Sequence, residues 1–248
     1  MKKNRLEITL GKDSNNIVFH DSLFDICHIL VGGSRDFEKD KFLNSIIKDL
    51  IAFNNKETFK IALCDFTEGD YSWMPKSHLY NYPVATEKSL AMKIINEIYL
   101  ETKKRLEILK KENIKNLSTY NEIKRIEVDS IILIITEYAD IFKEYLSDFE
   151  EKISYILENG RICNIFVILG TKEMNRTIVT KKIESLFPTK ICFDTKTAYE
   201  SQVILEYTTA EALKEDEFIY LTSSKIPYAK LKLLEEVTKW HPIYHQKF

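Results

Sequence analysis

Cysteine, proline, glycine and tryptophan are all scarce in this 248-residue sequence, at 4, 5, 6 and 2 residues. The cysteines (Cys27, Cys64, Cys163, Cys192) stand singly, and without a C-x-x-C pair neither a zinc ribbon nor a dithiol redox centre is available. Three of them lie in apolar, strand-like runs and read as buried thiols of a reducing compartment. No stretch approaches the ~20 apolar residues of a membrane span, the longest run being Ile131 to Ile135, and Met-Lys-Lys-Asn-Arg at the N-terminus lacks the apolar core of a signal peptide. The chain as it stands reads as soluble, which leaves room for a membrane anchor elsewhere in a longer parent protein. A basic excess is missing too: 36 Lys and Arg stand against 38 Asp and Glu, a formal charge of −2. The lysines interleave with acids, as in Lys103-Lys104-Arg105-Leu106-Glu107, so they read as solvated helix faces and no nucleic-acid partner is expected. Ser34, Ser118 and Ser130 sit in no G-x-S-x-G context, which removes serine hydrolase chemistry. There is no internal repeat and no low-complexity linker.

What is present is an ordinary globular composition, 44% hydrophobic and 30% charged, at a length that suits one α/β domain. Residues 6–10 and 17–19 read as strands around the turn-rich 11–16. Apolar runs at 29–31, 59–65, 130–137, 164–171 and 190–193 read as further strands, with 217–221 and 228–234 closing the series. Between them, helical spacing is clear in Phe42, Leu43, Ile46, Ile47 and Leu50, in one long amphipathic helix over about 86–113, and over 139–160, where Gly160 is placed to end the helix. Shorter helices are expected at 116–125, 198–205 and 209–213. Strands alternating with helices predict a mostly parallel sheet covered on both faces. Residues 1–239 read as one domain and 240–248 as a C-terminal tail.

The informative stretch is His28 to Leu50. A short strand, a Gly32-Gly33 turn and a helix give the outline of a phosphate-binding loop, yet where G-x-x-x-x-G-K-[S/T] wants glycine and a hydroxyl around its lysine, the chain has Gly33 followed by Glu38-Lys39-Asp40. Other readings of single features are weaker. Asp36, Glu38 and Asp40 alternate like the first ligands of an EF-hand, but Lys41 and Ile47 stand where that loop needs glycine and glutamate. His241 and His245 are four apart with Pro242 between them and no supporting ligands, so no metal site is expected. Tyr71, Trp73, Tyr80 and Tyr82 make an aromatic loop that either packs on its own sheet or grips bases or a peptide.

Laid end to end, the motifs resemble the FtsK/SpoIIIE family of P-loop motor domains over about residues 5–232. Leu10-Gly11-Lys12-Asp13 looks like that family's entry motif, and His28-Ile29-Leu30-Val31-Gly32-Gly33 like the strand entering its Walker A loop. Asn116-Leu117-Ser118-Thr119-Tyr120-Asn121 is similar to its Asn-Leu-x-x-Tyr-Asn segment, and Ile135-Thr136-Glu137-Tyr138-Ala139-Asp140 falls where its Walker B motif belongs. Phe187-Pro188-Thr189-Lys190 and Ser201-Gln202-Val203-Ile204-Leu205 sit where the family has Pro-Thr-Arg and Ser-Arg-x-Ile-Leu. The resemblance implies a RecA-like P-loop NTPase fold, with a vestigial nucleotide site at Gly33, Lys39, Asp40, Thr136, Glu137 and Thr171.

The departures fall on the catalytic positions. In a working loop, backbone N–H groups close around phosphate oxygens, the lysine bridges the terminal phosphates and the hydroxyl holds Mg²⁺. Here Asp36, Phe37 and Glu38 replace small residues and Asp40 replaces the hydroxyl. Each carboxylate within about 5 Å of a triphosphate would repel it by roughly 3 kcal/mol per unit charge at an effective dielectric near 20, so Lys39 is expected to pair with its acidic neighbours instead. Thr136 replaces the aspartate that orients the metal's water shell, leaving Glu137 as a general base with no metal to serve. Thr171-Lys172-Glu173-Met174 replaces the family's Thr-Gln-Arg-Pro, and Gln202 replaces an arginine. The expectation is a pseudo-ATPase with no catalytic residue and no cofactor, ATP-Mg²⁺ being the alternative.

Within the family, the resemblance is greatest to the degenerate C-terminal domains of the EssC/EccC coupling proteins of type VII secretion. It implies secreted helical substrate proteins and adjacent motor domains of the parent chain as partners. It also implies a homo-hexamer in the full-length protein and a place at the cytoplasmic side of the cell membrane. Two rivals are a regulator that keeps ATP without hydrolysis and a subunit of a DNA translocase.

Overall fold

The computed structural model describes residues 6–55, 57–223 and 229–234, with Asp36 described by its backbone. The tail at 240–248, with His241 and His245, lies outside them.

Apolar runs at the expected places form a nine-stranded sheet. Its strands are β1 (Glu7–Lys12), β2 (Val18–Ser22), β3 (Ile29–Gly32), β4 (Phe59–Cys64), β5 (Ser130–Ile135), β6 (Ile165–Thr171), β7 (Thr189–Cys192), β8 (Glu217–Thr222) and β9 (Ala229–Lys232). The spatial order is β2-β1-β9-β8-β7-β3-β6-β5-β4. The five strands from β7 to β4 are parallel. The remaining four extend the sheet antiparallel. The parallel core is therefore prolonged by a sizeable antiparallel wing, which the strand–helix alternation alone did not indicate.

Helices cover both faces, and the strands sort their side chains accordingly. Ile131, Leu133 and Ile135 of β5 belong to one core with α3 (Lys88–Lys111), α5 (Ala139–Asn159) and α7 (Ala198–Leu205). Ile132 and Ile134 belong to the other with α2 (Asp36–Phe53). This alternation buries both faces of a central parallel strand, which is why β5 reads as a continuous apolar run. The remaining helices are short: α1 (Leu23–Ile26), α4 (Leu117–Lys124) and α6 (Lys181–Ser185). Neither α1 nor α6 shows a helical period in the sequence, being four and five residues long. A hydroxyl caps each of them, Ser22 accepting from Phe24 N and Thr180 from Ile183 N.

Two local expectations change. Gly160 does end α5, but with φ −60° and not in the left-handed conformation. A Cβ there would lie 2.5 Å from the Ile165 carbonyl oxygen and 2.6 Å from that of Ile156. Close backbone approach explains the glycine. Residues 210–212 form a single 3₁₀ turn in place of a helix over 209–213.

The aromatic loop packs on its own sheet. Tyr71 is in the core on the α2 face, and Tyr80 and Tyr82 lie against the core on the other face. Trp73 donates its indole N–H to the Asp70 carbonyl. All four cysteines are buried and unpaired. No helix among the described residues is long and apolar enough to cross a membrane.

Candidate functional site

The six residues singled out in the sequence lie together at the C-terminal ends of β3, β5 and β6 and the start of α2. That is where a parallel sheet places its ligands. The structure brings them together, but in a closed arrangement.

Only Gly33, Ser34 and Arg35 separate β3 from α2, because the helix already starts at Asp36. The segment that would wrap a phosphate is wound into the first helical turn. A backbone nest requires alternating right- and left-handed residues, and no glycine of the chain has a positive φ. Two of the three loop amides are used: Gly33 N donates to Thr171 O at 3.2 Å and Ser34 N to Asp194 O at 2.9 Å. A side chain at Gly33 would meet the Cβ of Phe193 at 2.9 Å, so the loop is pressed onto the end of β7.

Lys39 reaches beyond its own helix to the end of β5. Its stem lies on the helix face that also buries Phe42, Leu43 and Ile46, and its ammonium donates to Glu137 Oε2 at 3.1 Å. Both side chains are 0% exposed. Glu137 is accordingly not a base facing solvent. Its Oε2 also accepts the Lys172 amide at 2.7 Å, and its Oε1 accepts the Ala139 amide at 3.3 Å. A carboxylate holding one ammonium and two amides has its charge compensated in place.

Glu38 turns away from the loop. It is 2% exposed and accepts the Asp216 amide at 3.0 Å, with Arg35 3.6 Å from the same oxygen. Asp216 in turn accepts from Lys41 at 3.0 Å. The start of α2 is thereby tied to the turn before β8. Asp40 lies close enough to the phenol of Tyr71 to help raise its pKa, after burial and Asp65.

Thr136 donates its hydroxyl to Asp65 Oδ1 at 3.0 Å and accepts the Phe66 amide at 2.9 Å. Asp65 is the residue that motif reasoning left out of the site. It is 3% exposed at the end of β4 and also accepts from Thr67 N, Thr67 Oγ1 and Gly69 N. Its signal in the sequence was an acid ending an apolar strand. Thr171 is buried, its hydroxyl accepting the Glu173 amide at 3.0 Å.

Two loop amides, Gly33 N and Ser34 N, and the Lys39 ammonium are thus engaged within the protein. No group of three or more His, Cys, Asp or Glu able to hold a metal occurs among the described residues. Two surface cavities, of 420 and 660 Å³, lie elsewhere. One is at the start of β4 and β5, the other between the start of β7 and the end of β8.

Comparison with known proteins agrees with this placement. The chain is 28% identical over 216 residues to a DNA translocase FtsK of Campylobacter jejuni, covering 85% of this chain and 23% of that one. It is 24% identical over 253 residues to the FtsK of Chlorobaculum tepidum, covering 95% and 32%. The chain therefore spans about a quarter to a third of these relatives. Among solved structures it is similar to the pCW3 conjugation coupling protein TcpA with ATPγS (21% identity, TM-score 0.77, 93% of this chain and 66% of that one). It is also similar to EssC ATPases 2 and 3 of Geobacillus thermodenitrificans (16%, 0.73, 94% and 45%). A third is Thermomonospora curvata EccC ATPases 2 and 3 in complex with a signal sequence peptide (17%, 0.74, 94% and 44%). At these identities the structures speak for the fold. The FtsK/SpoIIIE family model matches residues 1–203, through the loop at Gly33, the strand ending at Glu137 and the sensor strand ending at Thr171, and the chain belongs to the FtsK/SpoIIIE family.

Proposed function

We propose that this chain is a non-hydrolysing FtsK/SpoIIIE domain of a type VII secretion coupling protein. In this reading it recognises secreted helical proteins at the cytoplasmic side of the membrane and regulates the adjacent motor domain of its parent. The observation that carries the first half is the buried Lys39–Glu137 pair. The lysine that would bridge the terminal phosphates is spent on the acid that would activate water, and the chain leading into that lysine is helical from Asp36. To bind ATP-Mg²⁺, the domain would have to unwind that turn and break a pair that has no exposed surface.

The second half rests on fold similarity to EssC and EccC, the latter solved with a signal sequence peptide. The 660 Å³ cleft, with Leu157, Leu186, Phe187 and Leu221 in its lining, offers the apolar surface that one face of a helical export signal requires. Membrane anchoring and a ring of six belong to the parent protein in this reading. The test is a pull-down of secreted helical-hairpin proteins with the domain, alone and joined to its neighbouring motor domain. Association that is lost in Leu186→Glu and Leu221→Glu supports the reading, and no association in either form sinks it.

A second reading, a DNA-translocase subunit, is favoured by the FtsK relatives. It predicts salt-sensitive DNA binding in a gel-shift assay, whereas a net charge of −2 favours none.

A further inference from the structure

The 420 Å³ cavity lies at the opposite end of the sheet from the vestigial site, and its volume falls in the range of small-ligand pockets. Arg105, a residue 4% exposed, is part of its lining. Its Nε donates to Glu101 at 2.8 Å and its Nη1 to the Cys163 carbonyl at 2.9 Å. The remaining Nη2 makes no hydrogen bond with a described residue, yet it is not sealed from solvent. A guanidinium clamped at two nitrogens and lining a cavity thus leaves a donor edge for whatever enters. Lys60, beside it in the lining, spends one proton on the Ser77 carbonyl and keeps two.

The facing segment contributes Glu127 and Asp129, neither of which has an ion-pair or hydrogen-bond partner among the described residues. Ile131 and Tyr80 supply apolar surface in the same lining. The lining is therefore bipolar. A simple anion would meet two carboxylates, a simple cation would meet Arg105 and Lys60, and an apolar ligand would leave Lys60, Glu127 and Asp129 without an ionic partner and Arg105 with Glu101 alone. Only a ligand with both charges answers the whole set. We propose that this cavity binds a small zwitterion, an α-amino acid or a short free peptide. Its carboxylate lies toward Arg105 and Lys60, its ammonium toward Glu127 and Asp129, and its apolar side chain on Ile131 and Tyr80. The proposal is independent of the function assigned above.

The test is an NMR titration of the whole chain with L-leucine and with leucyl-leucine, following the Arg105 Nε–H and Ile131 methyl resonances. N-acetyl-leucine and leucinamide, each lacking one charge, are the controls. The expected result is saturable shifts at these resonances with at least one of the two zwitterions. Binding of the controls should be at least tenfold weaker, and Glu127→Gln with Asp129→Asn should lower affinity for the zwitterion by a similar factor. Tighter leucyl-leucine assigns a peptide terminus pair, and tighter leucine assigns a free amino acid. Because Arg105→Gln removes two interior bonds and can unfold the chain, the two rim variants carry the test. Absence of saturable shifts with both zwitterions overturns the proposal, as do equal shifts with the blocked analogues or unchanged affinity in the rim variants.

Discussion

Lys39 and Glu137 form the least exposed ion pair among the described residues. Desolvating two charges costs several kcal/mol each, and their attraction offsets this only while both remain. Lys39→Met should therefore cost about 3–5 kcal/mol in urea unfolding, because it strands a buried carboxylate. Lys39→Met combined with Glu137→Gln should recover part of that loss, since no charge is left behind and the amide oxygen still accepts from the Lys172 amide, while the bond from the Ala139 amide to the other carboxylate oxygen is given up. A double variant no more stable than Lys39→Met would contradict this account of the pair.

His28 makes a second residue-scale prediction. It is 1% exposed. Its Nε2–H donates to the Leu157 carbonyl at 3.0 Å, while Nδ1 accepts the Val167 amide at 3.0 Å. Only the neutral ring can do both, and burial pushes its pKa down to about 4 from the ordinary 6.5. Between these values the unfolded chain binds the extra proton, so stability from this group is complete above about pH 6.5 and declines as pH falls toward 4. The full difference is about 3 kcal/mol. Urea midpoints measured from pH 7 to pH 4 should fall more steeply for the parent chain than for His28→Gln, which cannot titrate.

At the scale of elements, much of the architecture was legible because it depends on local periodicity. The short, β-branched apolar runs at 130–135 and 165–171 read as buried strands, and α3 carries its own apolar stripe. What periodicity could not give was anything decided by distant partners. Glu137 is 98 residues from Lys39, so the sequence showed an altered lysine motif without showing what had captured the lysine. Likewise, the first turn of α2 is tied down by Glu38 accepting the amide of Asp216, 178 residues away.

Gly160 illustrates the same limit, and it can be tested. Read locally, it is a helix-ending glycine whose cost in a right-handed position should be relieved by alanine, by about 1 kcal/mol. Read in the structure, an alanine Cβ would press on two backbone carbonyls, at 2.5 and 2.6 Å, and approach the His28 ring at 3.0 Å. Gly160→Ala should thus destabilise the protein, by about 1–3 kcal/mol as overpacking does. A gain in thermal unfolding temperature would restore the local reading.

For the molecule as a whole, the decisive quantity is linkage between nucleotide and folding. A ligand present at about 100 times its dissociation constant stabilises the folded state by about 2.7 kcal/mol. In a chain of this length that raises the unfolding temperature by roughly 5–10 °C, at about 2–4 °C per kcal/mol. A micromolar ATP-Mg²⁺ site would therefore be plain in a thermal shift measured at millimolar nucleotide. The closed loop predicts no such shift, and it predicts that restoring single motif residues will not create one. Glu38→Gly removes the acceptor of the Asp216 amide and Asp40→Ser restores a hydroxyl, yet Lys39 stays bound to Glu137 in both. Nucleotide-dependent stabilisation should emerge, if at all, only when Glu38→Gly and Asp40→Ser are combined with Thr136→Asp and Glu137→Gln, which loosens the hold on the lysine. A shift of several degrees in the unmodified chain would instead mean that the first turn of α2 unwinds for nucleotide, and the domain would then be a regulator that keeps ATP.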